Sequence, residues 1–200
     1  MIDFLLNGLR SSARTRYADK IRDQYDCVSA YSRVITASST YSPMSSVCDI
    51  RIRRDLDFGT SSKEVKSCLG RPQHSVDSLN PLTEAIFVYR YRLDEYRIRE
   101  ELHFSSYGLF YVTRTFSSAS PRQYETLLHV LSDKYLSGKV FDGIKKKIVD
   151  SRGREIMTTS SPAVVVEYLA PLDPVLSKLT IALPTSLNEI QKPAAIRSWL

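Results

Sequence analysis

The side chains of this 200-residue chain that could do chemistry are three histidines, three cysteines and two concentrations of basic residues. His74, His103 and His129 are scattered along the sequence, and none takes part in an HExxH or other paired-ligand spacing. Cys27, Cys48 and Cys68 are odd in number and contain no CxxC step, which suits neither a disulfide framework nor a zinc site. There is no GxSxG, no Walker-type loop and no GxGxxG. Cys68 falls near the C-terminal end of a short predicted helix, where the dipole raises a thiol pKa, and is expected in the core. These patterns predict a non-enzyme with no catalytic residues, cofactor or metal, with an enzyme of unknown type as the third reading after a protein-binding module and a nucleic-acid-associated factor.

The first basic concentration lies in IFVYRYRLDEYRIREELHF, residues 86–104. Successive side chains of a strand point to opposite faces. Phe87, Tyr89, Tyr91 and Leu93 therefore share one face of a first strand, and Val88, Arg90 and Arg92 the other. In a second strand Tyr96, Ile98, Glu100, Leu102 and Phe104 oppose Arg97, Arg99, Glu101 and His103. Most aromatics segregate from the arginines, as in a sheet with one face on helices and one in solvent. A single-stranded nucleic-acid platform needs exposed aromatics beside the charge instead. Arg90, Arg92, Arg97 and Arg99 are matched in number by Asp94, Glu95, Glu100 and Glu101, so cross-strand ion pairs are expected. Arginine is also enriched at binding hot spots. The predicted partner-binding surface is the solvent face of this sheet: Arg90, Arg92, Arg97, Arg99, Tyr111 and Thr113.

The second concentration is GIKKKIVDSRGRE, residues 143–155. Lys145, Lys146, Lys147, Arg152 and Arg154 form a basic hairpin tip that could contact phosphates. A solvated edge, on which lysines discourage strand addition, is the plainer reading. With basic residues 10–22, this tip makes nucleic-acid association the alternative function.

The elements that must position these residues follow from composition and periodicity. Apolar residues at 42% and charged residues at 25% are ordinary for a globular chain, and the net charge of +6 tilts modestly toward acidic partners. Nine Lys/Arg against five Asp/Glu in residues 1–54 place much of the excess at the N-terminal end. Leu5, Leu9, Ala13, Tyr17 and Ile21 make a helical stripe over 2–30. The domain reading is an amphipathic arm at 1–35, a Ser/Thr-rich linker at 36–54, helix-plus-meander units at 55–118 and 119–183, and a tail at 184–200. Ser61 with Glu64, and Ser120-Pro121 with Gln123, are capping-box spacings that open two helices. Strands are predicted at 85–93, 96–104, 109–116, 143–149, 154–159 and 163–169, with a further apolar stretch at 179–183 and a polar loop at 73–83. No apolar run is long enough to span a membrane. The cytoplasm is the expected location. An Arg/Ser-rich start suggests mitochondrial targeting as the alternative, against the acids at 3, 19, 23 and 26.

Within 56–116 the stretch FGTSSKEVKSCLGRP resembles the helix motif of the SmpA/OmlA and β-lactamase-inhibitory-protein-like superfamily. Gly59, Ser61, Val65, Leu69, Gly70 and Pro72 occupy its places. Phe87, Tyr89 and Tyr91, then Leu102, Phe104, Gly108, Leu109 and Val112, fit the strand pattern that follows. The second half lacks the Leu-Gly-x-Pro signature, and no lipidated cysteine opens the chain. The resemblance implies a non-catalytic fold whose sheet face contacts another protein. The fold class expected is α+β: an antiparallel meander sheet with helices packed on one face, as one or two helix-plus-meander units after a helical arm.

Overall fold

Two reciprocal caps set the helices of the body. In the computed structural model, which describes residues 17–161, 163–174 and 176–177, the Glu64 amide donates to Ser61 Oγ and Ser61 N donates to Glu64 Oε2 at 2.9 Å. This opens α3, Ser62–Leu69. Ser120 and Gln123 repeat the device for α4, Pro121–Leu136, with Pro121 in the first turn. Ahead of them lie α1, residues 17–25, and α2, Ser29–Thr40.

Eight strands form one sheet in the order β1-β6-β7-β8-β5-β4-β3-β2. They are β1 Ser42–Ser45, β2 His74–Asn80, β3 Thr83–Leu93, β4 Tyr96–Ser105, β5 Gly108–Ser117, β6 Lys146–Val149, β7 Glu155–Thr159 and β8 Val164–Leu169. Every pairing is antiparallel except β1 with β6. The two meanders, β3–β5 and β6–β8, join where β8 pairs with β5.

Strand parity divides the interior. Phe87, Tyr89, Leu102, Phe104, Val112 and Tyr168 pack with Val65 of α3 and Leu131, Tyr135 and Leu136 of α4. Ile86, Val88, Phe110, Tyr111, Met157 and Leu169 lie on the opposite face with Ile21 and Tyr25 of α1 and Tyr31, Val34 and Ile35 of α2. Phe104 pairs with Leu109 and His103 with Tyr111, so Phe110 is an inserted residue. The bulge lets both Phe110 and Tyr111 join the second core. The structure is α+β with an antiparallel sheet, but its second face is not open to solvent: the N-terminal helices cover much of it.

Two polar stretches depart from their expectation. The Ser/Thr-rich segment assigned as linker, 36–54, completes α2 and supplies β1. Val34, Ile35 and Ser38 continue the buried stripe begun at Tyr31, while Ser39 and Thr40 bond back to the carbonyls of Thr36 and Ala37. Pro43 is tolerated because β1 is an edge strand. The loop assigned at 73–83 holds β2, also an edge, whose only fully buried apolar side chain is Val76. The predicted helix over 2–30 is interrupted at 26–28. Its residues before 17, the 179–183 stretch and the tail lie outside the described residues.

Gly108 fixes how the β4–β5 turn meets the start of the body. Its φ is +103°, and a Cβ there would lie 2.3 Å from the Gly59 carbonyl oxygen. The approach is locked by Gly59 N donating to Leu109 O at 2.8 Å and Leu109 N donating to Thr60 O at 2.9 Å. Gly108→Ala should lower stability in urea unfolding by roughly 3 kcal/mol. Gly138→Ala, at φ +79° with open space around it, should cost roughly 1 kcal/mol. Equal losses at both sites would contradict this account of the contact.

Candidate functional site

The β3–β4 register places like charges face to face. Arg90 is paired with Arg99, and Arg92 with Arg97. The two pairs sit on the face that α1 and α2 cover farther along; Arg90 still meets the start of α1 at Tyr17, and Arg92 and Arg97 lie nearer the hairpin turn. Arg90, Arg92 and Arg97 are exposed and Arg99 is half-buried. They wall a cleft of about 410 Å³, completed by Tyr91, Ile98 and Ser117. Like charges directly opposite one another destabilise a strand pair. The expected cross-strand ion pairs are therefore absent, and the register is the reason.

Equal numbers of acids do not neutralise this array, because Glu100 is used on the other face and Glu101 reaches only Arg99. Glu100 points to the other face and is fully buried. There it accepts from Arg53 and, at 2.7 Å, from Arg114 Nε. Burial disfavours the charge on Arg114, yet Tyr168 and Glu100 hold its pKa above the ordinary value. Glu101 lies on the arginine face but is only 1% exposed. Tyr25 donates to its Oε2 at 3.0 Å. Its Oε1 lies 3.1 Å from Arg99 Nε, without the alignment of a hydrogen bond. Asp94 and Glu95 occupy the turn and form no ion pair with Arg92 or Arg97, which have none among the described residues.

The other two residues of the predicted surface are not surface residues. Tyr111 is 2% exposed and Thr113 6%. Parity puts them on the arginine face, as expected, but the helical arm closes over them. Tyr111 donates to Glu167 at 2.6 Å, and burial followed by that carboxylate's charge raises the Tyr111 pKa well above its ordinary value. Burial likewise raises Glu167, an effect partly offset by the Tyr111 hydrogen bond.

The basic hairpin tip is mostly neutralised inside the molecule. Lys146 pairs with Asp142 at 2.7 Å, Lys147 with Glu155 at 2.6 Å, Arg152 with Asp49 at 3.2 Å and Arg154 with Asp57 at 2.9 Å. Lys145 alone of the five has no ion pair among the described residues. The structure brings together Arg90, Arg92, Arg97 and Arg99, and does not assemble the tip residues into a second patch.

His103 belongs to the buried network under the arm. Tyr31 OH meets its Nδ1 at 2.8 Å and Thr83 donates to Tyr31 at 2.9 Å. Tyr31 then donates to Nδ1, which leaves the imidazole proton on Nε2, 4.0 Å from Glu101 Oε2. Rings of Tyr25 and Tyr111 flank it at 4.6 and 4.9 Å. Burial drives the His103 pKa from 6.5 down to about 3. Sequence reasoning singled out neither this network nor Glu167; no spacing signal marks it, because its members come from α1, α2, β3, β4, β5 and β8. All three cysteines are exposed, Cys68 included, since α3 turns Val65 and Leu69 inward instead. Among the described residues no group of His, Cys, Asp and Glu converges to hold a metal, and no helix is long and apolar enough to cross a membrane. No protein family, curated protein or solved structure matches the chain.

Two measurements follow. His103 is neutral when folded and titrates near 6.5 when unfolded, so its contribution is complete above that pH and falls as pH drops toward 3. Urea unfolding should lose about 2 kcal/mol from this group between pH 7 and pH 5. His103→Gln should flatten that part of the profile, and an equally steep profile would refute the assignment. Arg97→Glu converts a like pair into an opposite one and should raise stability by about 0.5 kcal/mol. A loss of stability would show that the four charges are already compensated.

Proposed function

We propose that the chain is a non-catalytic protein-binding or assembly module whose contact surface is the arginine array. The observation that carries this is the pairing of Arg92 with Arg97 beside Arg90 with Arg99, where the buried Glu101 reaches only Arg99 and neither Arg92 nor Arg97 has an ion pair among the described residues. The molecule keeps a local repulsion that an acidic partner would relieve, and such complementarity steers encounter and fixes orientation. The partner is another protein. The resemblance of residues 56–116 to a superfamily whose sheet faces contact proteins points the same way. Three exposed free thiols suit a reducing compartment such as the cytoplasm.

Nucleic-acid association has less support. Four of the five basic residues in the 145–154 tip are paired with internal acids, and residues 10–16 lie outside the described residues. The arginine face also lacks a free aromatic platform: Tyr111 is buried and the Tyr17 ring is already stacked with Arg90, 4.2 Å from its guanidinium.

Affinity capture from native lysate tests the proposal. Proteins retained by the wild-type chain should be lost from an Arg92→Glu/Arg97→Glu variant, and their retention should weaken with salt. Lys145→Glu, an exposed change away from the array, should retain them. An unchanged set of bound proteins in the double variant would overturn the reading.

A further inference from the structure

We infer, on the basis of the module reading above, that the array recognises a phosphorylated segment of its partner, with a phosphoserine or phosphothreonine seated between Arg92 and Arg97. The site is an open cleft of about 410 Å³, room enough for a phosphate group carried on an extended segment. Its walls are not equivalent. Arg99 is held beside Glu101 and donates to Thr115 at 3.2 Å. Arg90 lies over the Tyr17 ring. Arg92 and Arg97 have no ion pair, and their guanidinium groups are free to close on an anion.

Charge density selects among the anions. A phosphate monoester carries about −1.5 to −2 and three acceptor oxygens, which planar guanidinium forks engage in pairs. A carboxylate carries one charge, as does each nucleic-acid phosphodiester. A single strand would in addition need rings on which to stack its bases. The rings of this face are buried or taken, and Tyr91, which reaches the cleft, belongs to the other side with Arg53 over it at 4.9 Å. The second arginine pair lies two residues along each strand, about 7 Å away, so a further phosphate or acidic residue two positions from the first can meet Arg90 and Arg99. The ends of the chain are poor occupants on charge alone. Residues 1–16 carry three arginines and one acid, and residues 178–200 three Lys/Arg and one acid.

The test titrates the full chain with degenerate peptide libraries that differ only at a fixed central position: phosphoserine, serine or glutamate. An oligo(dT) strand is the nucleic-acid arm. The phosphoserine library should bind at least about tenfold more tightly than the glutamate library, and Arg92→Gln/Arg97→Gln should weaken it by about tenfold or more. Both arginines are exposed and without ion pairs, and the change removes a like-charge pair, so a urea midpoint no lower than that of the wild-type chain should show that the variant folds. Equal binding of the glutamate library, tighter binding of oligo(dT), or no effect of the double variant would each overturn the inference. If the phosphoserine library fails while Arg92→Glu/Arg97→Glu still loses captured proteins, the phosphate preference falls and the binding module stands. If both fail, both readings fall.

Discussion

Two adjacent glutamates in β4 constrain this structure more than any other feature. Consecutive strand residues face opposite ways, so Glu100 and Glu101, both essentially without solvent, put one carboxylate into each half of the interior. An uncompensated buried carboxylate costs several kcal/mol, and each half has to supply partners. On one side Arg114 of β5 reaches Glu100 while also donating to Tyr168 OH at 2.9 Å and the Ile52 carbonyl at 2.6 Å. A single guanidinium thereby ties β4, β5, β8 and the chain ahead of α3 together. On the other side Tyr25 carries α1 down onto Glu101. The layers are apolar in bulk, but these polar links fix which residues meet across them.

The second face repeats this solution with neutral donors. Tyr31, Thr83 and His103 form one chain of bonds, and Tyr111 with Glu167 another. Tyrosines whose pKa is raised by burial, as at Tyr25 and Tyr111, remain donors at any ordinary pH. Farther along the sheet Lys147 and Ser38 both serve Glu155, joining α2 to β6 and β7. The arm is thus fastened to the sheet at several points.

Much of this was legible in the sequence because periodicity reports burial. The meander from Thr83 to Ser117, the hairpin turn at Asp94 and Glu95, and both capped helices follow from alternation and cap spacing. Periodicity fails where an element is short or at an edge. Ser42–Ser45 and His74–Asn80 present little apolar surface, since an edge strand needs only enough buried side chain to fix its register. Parity assigned Tyr111 and Thr113 to the correct face of the sheet, yet parity cannot say what covers a face. The stripe from Tyr31 to Ser38 held that information, hidden among serines and threonines. The largest gap concerned charge: counting four acids against four arginines says nothing of which acids the fold consumes, and only the three-dimensional contacts show Glu100 bound to Arg53 and Arg114 and Glu101 shared between Tyr25 and Arg99.

The arginine array is the residue of that commitment. Once Glu100 and Glu101 are drawn inside, a register that matches Phe87 with Leu102 and Val88 with Glu101 necessarily sets Arg90 against Arg99 and Arg92 against Arg97. A strand pair shaped by stability alone would carry opposite charges at those positions. Local rules tend to be broken in natural proteins where function requires it, and here the break is confined to the exposed end of a sheet that otherwise obeys them. Arg92 and Arg97 line a cleft without ion pairs of their own, while the basic residues of the 145–154 tip are mostly internally paired. Such a contrast within one basic chain distinguishes cations that hold the fold from cations held open for another molecule.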